Sequence, residues 1–184
     1  MKIGATTSRI RWRRALRTSD LERVKSLPLF ADVAADTFRV ATAGAHLQRF
    51  PAGTVLLLEG DPVDFLYVLL EGQVELHGTW NDHETVLAIL RPVSTFILAA
   101  VVLDAEALMS ARTLERCEIL MIPGDAIRTA MRLDPRFGMA VSRDLAGCYR
   151  GLVRTIKNHK LRNSTERLAN YLLALRAADN SGGV

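Results

Sequence analysis

The sequence predicts an α+β fold: an antiparallel β-roll, jelly-roll-like (a double-stranded β-helix), with helices before it and one long helix after it. Three observations carry that expectation. In the stretch from Phe50 to Gly78, FPAGTVLLLEGDPVDFLYVLLEGQVELHG, the glycines at 53, 60 and 72 separate short β-prone apolar runs. Glycine reaches positive φ without a Cβ clash, so these positions read as turns or bulges between strands. After Gly72, Val74 and Leu76 alternate with Gln73, Glu75 and His77, the period of two of a half-buried strand. At Asp134-Pro135 a capping residue precedes a proline suited to the first helical position. Apart from Gly138, Gly147 and Gly151, nothing breaks the pattern until about His159. That is ~25 residues, or a rod of about 37 Å.

The elements follow in order. Ile10, Trp12, Ala15 and Leu16 suit a short amphipathic helix in a basic leader. A helix starts at Asp20, with Leu21, Val24 and Leu27 on one side, and Pro28 ends it. A second helix is capped by Asp32 or within Ala34-Ala35-Asp36 and closed by Gly44. Strands are expected at 46–50, 54–59, 64–70, 73–79, 84–91 and 110–122, with the aspartates around Pro62 and the Asn81-Asp82 pair at corners. Pro123-Gly124-Asp125 stops the last strand, and Asp125 is placed to cap a helix over 126–133. Beyond a hinge at 160–164, Ser164-Thr165-Glu166 opens a further helix with Leu168, Ala169, Leu172, Leu173 and Leu175 as its apolar face, fraying into ADNSGGV.

The chain has 184 residues, 49% hydrophobic and 24% charged. That is enough for one good core and an appendage. No apolar run approaches the ~18 residues that span a bilayer, and no apolar segment follows the basic start as in a secretory leader. Cys117 and Cys148 sit in a strand-like and a helix-like setting, expected as small buried apolar residues rather than a disulfide or metal pair. The expected compartment is the cytoplasm, with no membrane partner. The net charge of +4 is concentrated at the ends: residues 1–20 hold six Lys/Arg against Asp20, and residues 149–167 hold six against Glu166. Basic ends suit a polyanion or ordinary solvated surface. No nucleophile triad, HExxH or phosphate loop is present, so no enzyme is expected.

The order F-x-x-G-x-x-L, E-G-D, D-x-x-Y-x-L-x-x-G-x-V is met by Phe50, Gly53, Leu56, Glu59-Gly60-Asp61, Asp64, Tyr67, Leu69, Gly72 and Val74. This resembles the cyclic-nucleotide-binding domain of the Crp/Fnr-type bacterial transcription regulators, and the likeness runs from about Leu27 to Leu173. The resemblance implies a basic extension over 1–20, a β-roll sensor over 21–134, a dimerisation helix over 135–160, and over 161–184 the first helix of a winged-helix DNA-binding domain cut before its helix-turn-helix. Val141, Leu145, Cys148, Leu152, Thr155 and His159 fall at alternating three- and four-residue steps, the seam of a two-stranded coiled coil. A homodimer is therefore expected. A neighbouring stripe of Ala146, Tyr149, Val153 and Ile156 suits cover for the roll, and a single-chain arrangement with both stripes on one core stays open.

The resemblance also implies a pocket, and there the sequence departs from the family. A glutamate in F-G-E holds the ribose hydroxyl, an arginine in R-S-A pairs the phosphate, and hydroxyls on the long helix meet the base. Here these places hold Phe96-Ile97-Leu98, Ala107-Leu108-Met109, and Leu152 with Val153. A buried anion without a cation is costly, so cyclic AMP is not the expected ligand. Arg112 lies past the phosphate position and serves only if the register slips. Ala99, Ala100 and Ala107 leave room beside the apolar run 96–103. That describes a site for a flat apolar ligand, such as haem in the family's gas sensors, or another hydrophobic effector, or else a filled core that works without ligand. Haem needs an axial ligand, for which His77 and His159 are the candidates, and an iron–sulfur cluster needs more cysteines than two. The expected function is the effector-sensing and dimerisation portion of a DNA-binding transcription regulator. The alternatives are a stand-alone ligand-binding or structural dimer with no DNA role, and a haem-based gas sensor.

Overall fold

The computed structural model describes residues 14–15, 18–81, 83–161 and 163–181. The strands are β1 (Arg14–Ala15), β2 (His46–Phe50), β3 (Val55–Leu57), β4 (Phe65–Glu71), β5 (Val74–Trp80), β6 (His83–Leu90), β7 (Ser94–Phe96), β8 (Ser110–Thr113) and β9 (Cys117–Pro123). The helices are α1 (Thr18–Lys25), α2 (Ala35–Ala41), α3 (Leu98–Leu103), α4 (Gly124–Leu133), α5 (Pro135–Leu161) and α6 (Ser164–Ser181), with a 3₁₀ turn at Pro28–Phe30. The chain divides into two compact units, residues 1–141 and 142–184, and the boundary falls inside α5.

In the first unit the strands form two antiparallel sheets, one in the order β1-β2-β9-β4-β7 and one in the order β3-β8-β5-β6. The centre of the five-stranded sheet explains its sequence. Leu66 to Leu70 on β4 and Ile119 to Ile122 on β9 are buried at every position. A strand covered on both faces loses the alternation that marks a half-buried one and reads as a continuous apolar run. α2 packs against α4, and α3 against α4 and β4. Phe30 stacks on Phe137 at 5.7 Å and meets Phe38 edge-on at 5.4 Å. Phe137 and Val141, the first buried residues of α5, thus belong to the core of this unit. Glu118, almost fully buried on β9, accepts from Arg23 of α1 at 3.2 Å and from Arg49 of β2 at 2.8 Å, which fastens α1 beside the sheet.

The strands at 46–50, 64–70, 73–79 and 84–91 stand within a residue of the sequence reading. The single strand expected over 110–122 is instead two, in different sheets: β8 pairs with β3 and β5, and β9 with β2 and β4. The chain changes sheet at Leu114–Arg116. There Gly72, at φ +89, lies so close that a Cβ on it would stand 2.5 Å from the Arg116 carbonyl oxygen and 2.7 Å from the Cys117 sulfur. Only a glycine satisfies both the backbone angle and the approach. The run 97–103 contains a short helix, α3, not foreseen because six apolar residues are too few to show a period.

The caps also differ. α2 starts from Ala34 with no side-chain cap, so neither Asp32 nor Asp36 serves; Asp36 instead pairs with Arg39 one turn on. α4 starts at Gly124, which places Asp125 inside its first turn, paired with Arg128. Asp134 is a true cap, accepting from the Arg136 backbone N–H at 2.8 Å. Ala15, expected in a short helix, is in β1, paired with His46, and the rest of that expected helix lies outside the described residues apart from Arg14, also in β1.

In the second unit α6 begins with a reciprocal cap. The Asn163 side-chain oxygen accepts from the Glu166 N–H at 2.9 Å, and the Glu166 carboxylate accepts from the Asn163 N–H at 3.0 Å. The helix continues to Ser181 rather than fraying from Ala178. Among the described residues no helix is long and apolar enough to cross a membrane.

Candidate effector site

The apolar segment singled out in the sequence is the link from β7 into α3. Phe96 ends β7, buried, and its ring stacks on Tyr67 of β4 at 5.1 Å. Burial, then the charges of Asp64 and Asp61, raises the Tyr67 phenol above its ordinary pKa and keeps it neutral. The next residue, Ile97, turns the chain with φ 65 and ψ 13, a left-handed conformation rare for a β-branched side chain. Leu98 and Val101 are buried, Ala100 is half-buried, and Ala99 and Leu103 are exposed. α3 ends in a second left-handed residue, Asp104 at φ 53. Arg128 of α4 holds that end by donating to the Val101 carbonyl at 2.8 Å and pairing with Asp104 at 3.0 Å.

The E-G-D corner faces the return of this segment. Gly60 donates its N–H to the Ala107 carbonyl at 2.8 Å, and Ala107 donates to the Asp61 carbonyl at 3.0 Å. The Asp61 carboxylate accepts from the Leu58 N–H at 2.9 Å, closing its own turn. The Glu59 N–H donates to the Ser110 hydroxyl at 3.0 Å. Ala107 is thereby pinned and buried, Met109 is half-buried, and Leu108 stands 82% exposed. Leu57, Val74, Leu76 and Ala111 make the buried apolar face of the four-stranded sheet beside it.

Charge collects on the opposite face of that sheet. Side chains alternate along a strand, so Glu75 and His77 of β5 turn away from Val74 and Leu76. Arg112 of β8, in register with Glu75, pairs with Glu75 at 2.5 Å and with Glu84 of β6 at 2.6 Å. Burial opposes the Arg112 charge, but the hydrogen bonds and charges of Glu84 and Glu75 outweigh it and raise the guanidinium. The His77 ring lies between the same two carboxylates, its Nδ1 3.8 Å from Glu75 and its Nε2 3.8 Å from Glu84. This cluster was not foreseen. Its only sequence signal is the glutamate–histidine spacing of two on a strand, since Glu84 and Arg112 join it through strand pairing.

The expected site residues are therefore split. Phe96, Leu98 and Ala107 are buried in the first unit with Ile97, Ala100 and Met109 half-buried, while Ala99 and Leu108 face outward. Leu152 (exposed) and Val153 (half-buried) belong to the second unit. Of the expected helix seam, Val141 is fully buried with the first unit and so is not exposed for a partner. Leu145 is half-buried, and Leu152, Thr155, His159 and Cys148 are exposed, the last against the expectation that both cysteines are buried, because its place on α5 lies beyond the first unit's core. Nothing lies within 4 Å of a Cβ built on Gly147 or Gly151.

Comparison with known proteins places this geometry. Residues 47–134 match the family described as "Cyclic nucleotide-binding domain". The chain is 25% identical over 147 residues to the global nitrogen regulator of Nostoc sp., covering 77% of this chain and 66% of that one. It is 25% identical over 132 residues to the cAMP-activated global transcriptional regulator CRP of Pasteurella multocida, covering 71% of this chain and 63% of that one. The crystal structure of DNR from Pseudomonas aeruginosa superposes with a TM-score of 0.64 at 20% identity, over 88% of this chain and 72% of that one, and shares the fold. The chain thus spans about two thirds or less of the length of these two curated regulators. The β-roll thus matches the cyclic nucleotide-binding domain model over residues 47–134, and the chain is similar in sequence to two curated transcription regulators of the Crp/Fnr type.

Proposed function

We propose that this chain is the effector-sensing and dimerisation part of a cytoplasmic, DNA-binding regulator of the Crp/Fnr type, with an effector side that has lost the cyclic-nucleotide clamp. One observation carries the reading. At the place of the phosphate arginine stands Ala107, buried and held by backbone hydrogen bonds to Gly60 and Asp61, and the nearby cation, Arg112, is engaged by two carboxylates. At the place of the ribose-binding glutamate stands Leu98, also buried. A cyclic phosphate desolvated there would meet no compensating positive charge. The effector is then a small uncharged or apolar molecule. Haem does not fit from the side of His77, which stands on the face opposite Leu76 and between two carboxylates.

The mechanism is a population shift. Occupation of the apolar side biases α3, which Arg128 ties to α4, and α4 passes through Asp134 directly into α5. A change at the start of α5 alters how the exposed seam from Leu145 to His159 pairs with a second copy, and so the orientation of DNA-binding elements joined to it. Isothermal titration of the purified chain with cyclic AMP and cyclic GMP tests the reading. The expected result is no saturable heat, and micromolar or tighter binding of either would overturn it.

A further inference from the structure

We propose that Glu75, His77 and Glu84 form a binding site for one divalent cation of the zinc class, and that in the metal-free chain Arg112 stands in for that ion. The three residues offer one imidazole nitrogen and two carboxylate oxygens, all within 4.8 Å of one another. Zinc at about 2.0–2.2 Å from nitrogen and oxygen ligands sets those atoms roughly 3.4 Å apart in a tetrahedral shell. His77 Nδ1 stands 3.8 Å from Glu75, while the 3.8 Å approach of Glu84 is to the other ring nitrogen, Nε2, so the half-exposed Glu84 side chain has to rotate toward the nitrogen that takes the ion. Two ligands come from one strand at a spacing of two and the third from its hydrogen-bonded neighbour, so the backbone is already fixed. The mixed nitrogen and oxygen set suits zinc over calcium or magnesium, which prefer oxygen alone. A fourth position stays open to water.

The independent sign is burial without partners. His77 is only 6% exposed, and its Nδ1 has no hydrogen-bond partner among the described residues. The Glu75 oxygen facing it, Oε1, is engaged by the Arg112 guanidinium at 2.5 Å, so an ion bound there has to displace Arg112. A buried ring nitrogen ordinarily has a partner, and this one, facing a carboxylate with none of its own, is a place for an electrophile. Charge agrees: two carboxylates share one guanidinium, leaving a net negative site at the sheet surface. A divalent ion would take both carboxylates and release Arg112, whose side chain is already 36% exposed. It would clip β5 to β6, an edge strand with mostly exposed side chains, whatever effector the roll accepts.

The full chain, stripped of metal with a chelator, is titrated with zinc sulfate by calorimetry and by thermal melting. The expected result is one ion per chain and a melting point raised by zinc but not by magnesium. Glu84→Gln, at a half-exposed position that leaves the core intact, weakens binding about tenfold or more. Arg112→Gln, which removes the competing cation, strengthens it. His83→Ala, on the opposite face of β6 from Glu84, leaves it unchanged, and nitrogen-15 NMR shows the ring shift on His77. No saturable binding, or binding that ignores both Glu84→Gln and Arg112→Gln, would overturn the site, because a purely ionic cluster would lose stability in those variants without changing its response to zinc.

Discussion

Ile97 and Asp134 show how single residues set the local geometry. At Ile97 the chain turns left-handed where the family's F-G-E pattern carries glycine, so the backbone keeps the turn while the side chain opposes it. Alanine is normally the more stabilising of the two small residues, because glycine is freer in the unfolded state. At φ 65 the order reverses, since a Cβ in this region costs roughly 1–2 kcal/mol. Ile97→Gly is therefore expected to be more stable than Ile97→Ala by about 1 kcal/mol, read from urea midpoints at equal slope. Asp134 gives a pH signature. The backbone N–H of Arg136, then the Thr37 hydroxyl at 2.9 Å, hold its carboxyl below the ordinary value of 3.8. A depressed carboxylate contributes stability that is present above its unfolded value and is lost as pH falls through the folded one. Asp134→Asn should lower stability at neutral pH, and its gap from the unchanged chain should close as the solution is taken below 3.8.

Whole elements depend on what covers them. α5 is anchored by Phe137, fully buried and stacked on Phe30, while the 3₁₀ turn that presents Phe30 begins at Pro28. Truncation leaves a cavity between α5 and the helices it meets, so Phe137→Ala should cost about 3–5 kcal/mol in chemical denaturation. An exposed apolar residue further along, such as Met139, should change little. Element by element, legibility followed burial. The turn glycines and the strands between them were readable because alternation and positive-φ demand are local. Ser110 to Ile122 read as one strand because both halves are β-prone, while the sheet change at Leu114–Arg116 answers to Gly72, more than forty residues away in sequence. The caps at Asp32 and Asp125 were misread because an aspartate near a helix start can serve a turn or an ion pair as readily as an N–H.

At the scale of the molecule, α5 carries apolar and thiol side chains in water: Leu152 is 57% exposed, and Cys148 is exposed while Cys117 is buried. A parallel pairing of this helix with a second copy brings Cys148 opposite its twin. Mild oxidation should then yield a disulfide-linked dimer on non-reducing gels, abolished by Cys148→Ser, with Leu152→Lys shifting the uncrosslinked protein toward monomer in sedimentation equilibrium. A monomer at all concentrations would remove dimerisation from the proposal. The sequence by itself determined the roll, its glycine corners, the long capped helix and the family likeness, because each rests on residue type and short spacing. The tertiary structure alone decided that Val141 belongs to the core and that Arg112 is engaged by Glu75 and Glu84. It also brought His77 between the same carboxylates. Those outcomes depend on which strands become neighbours, and strand pairing joins residues whose separation along the chain carries no periodic trace.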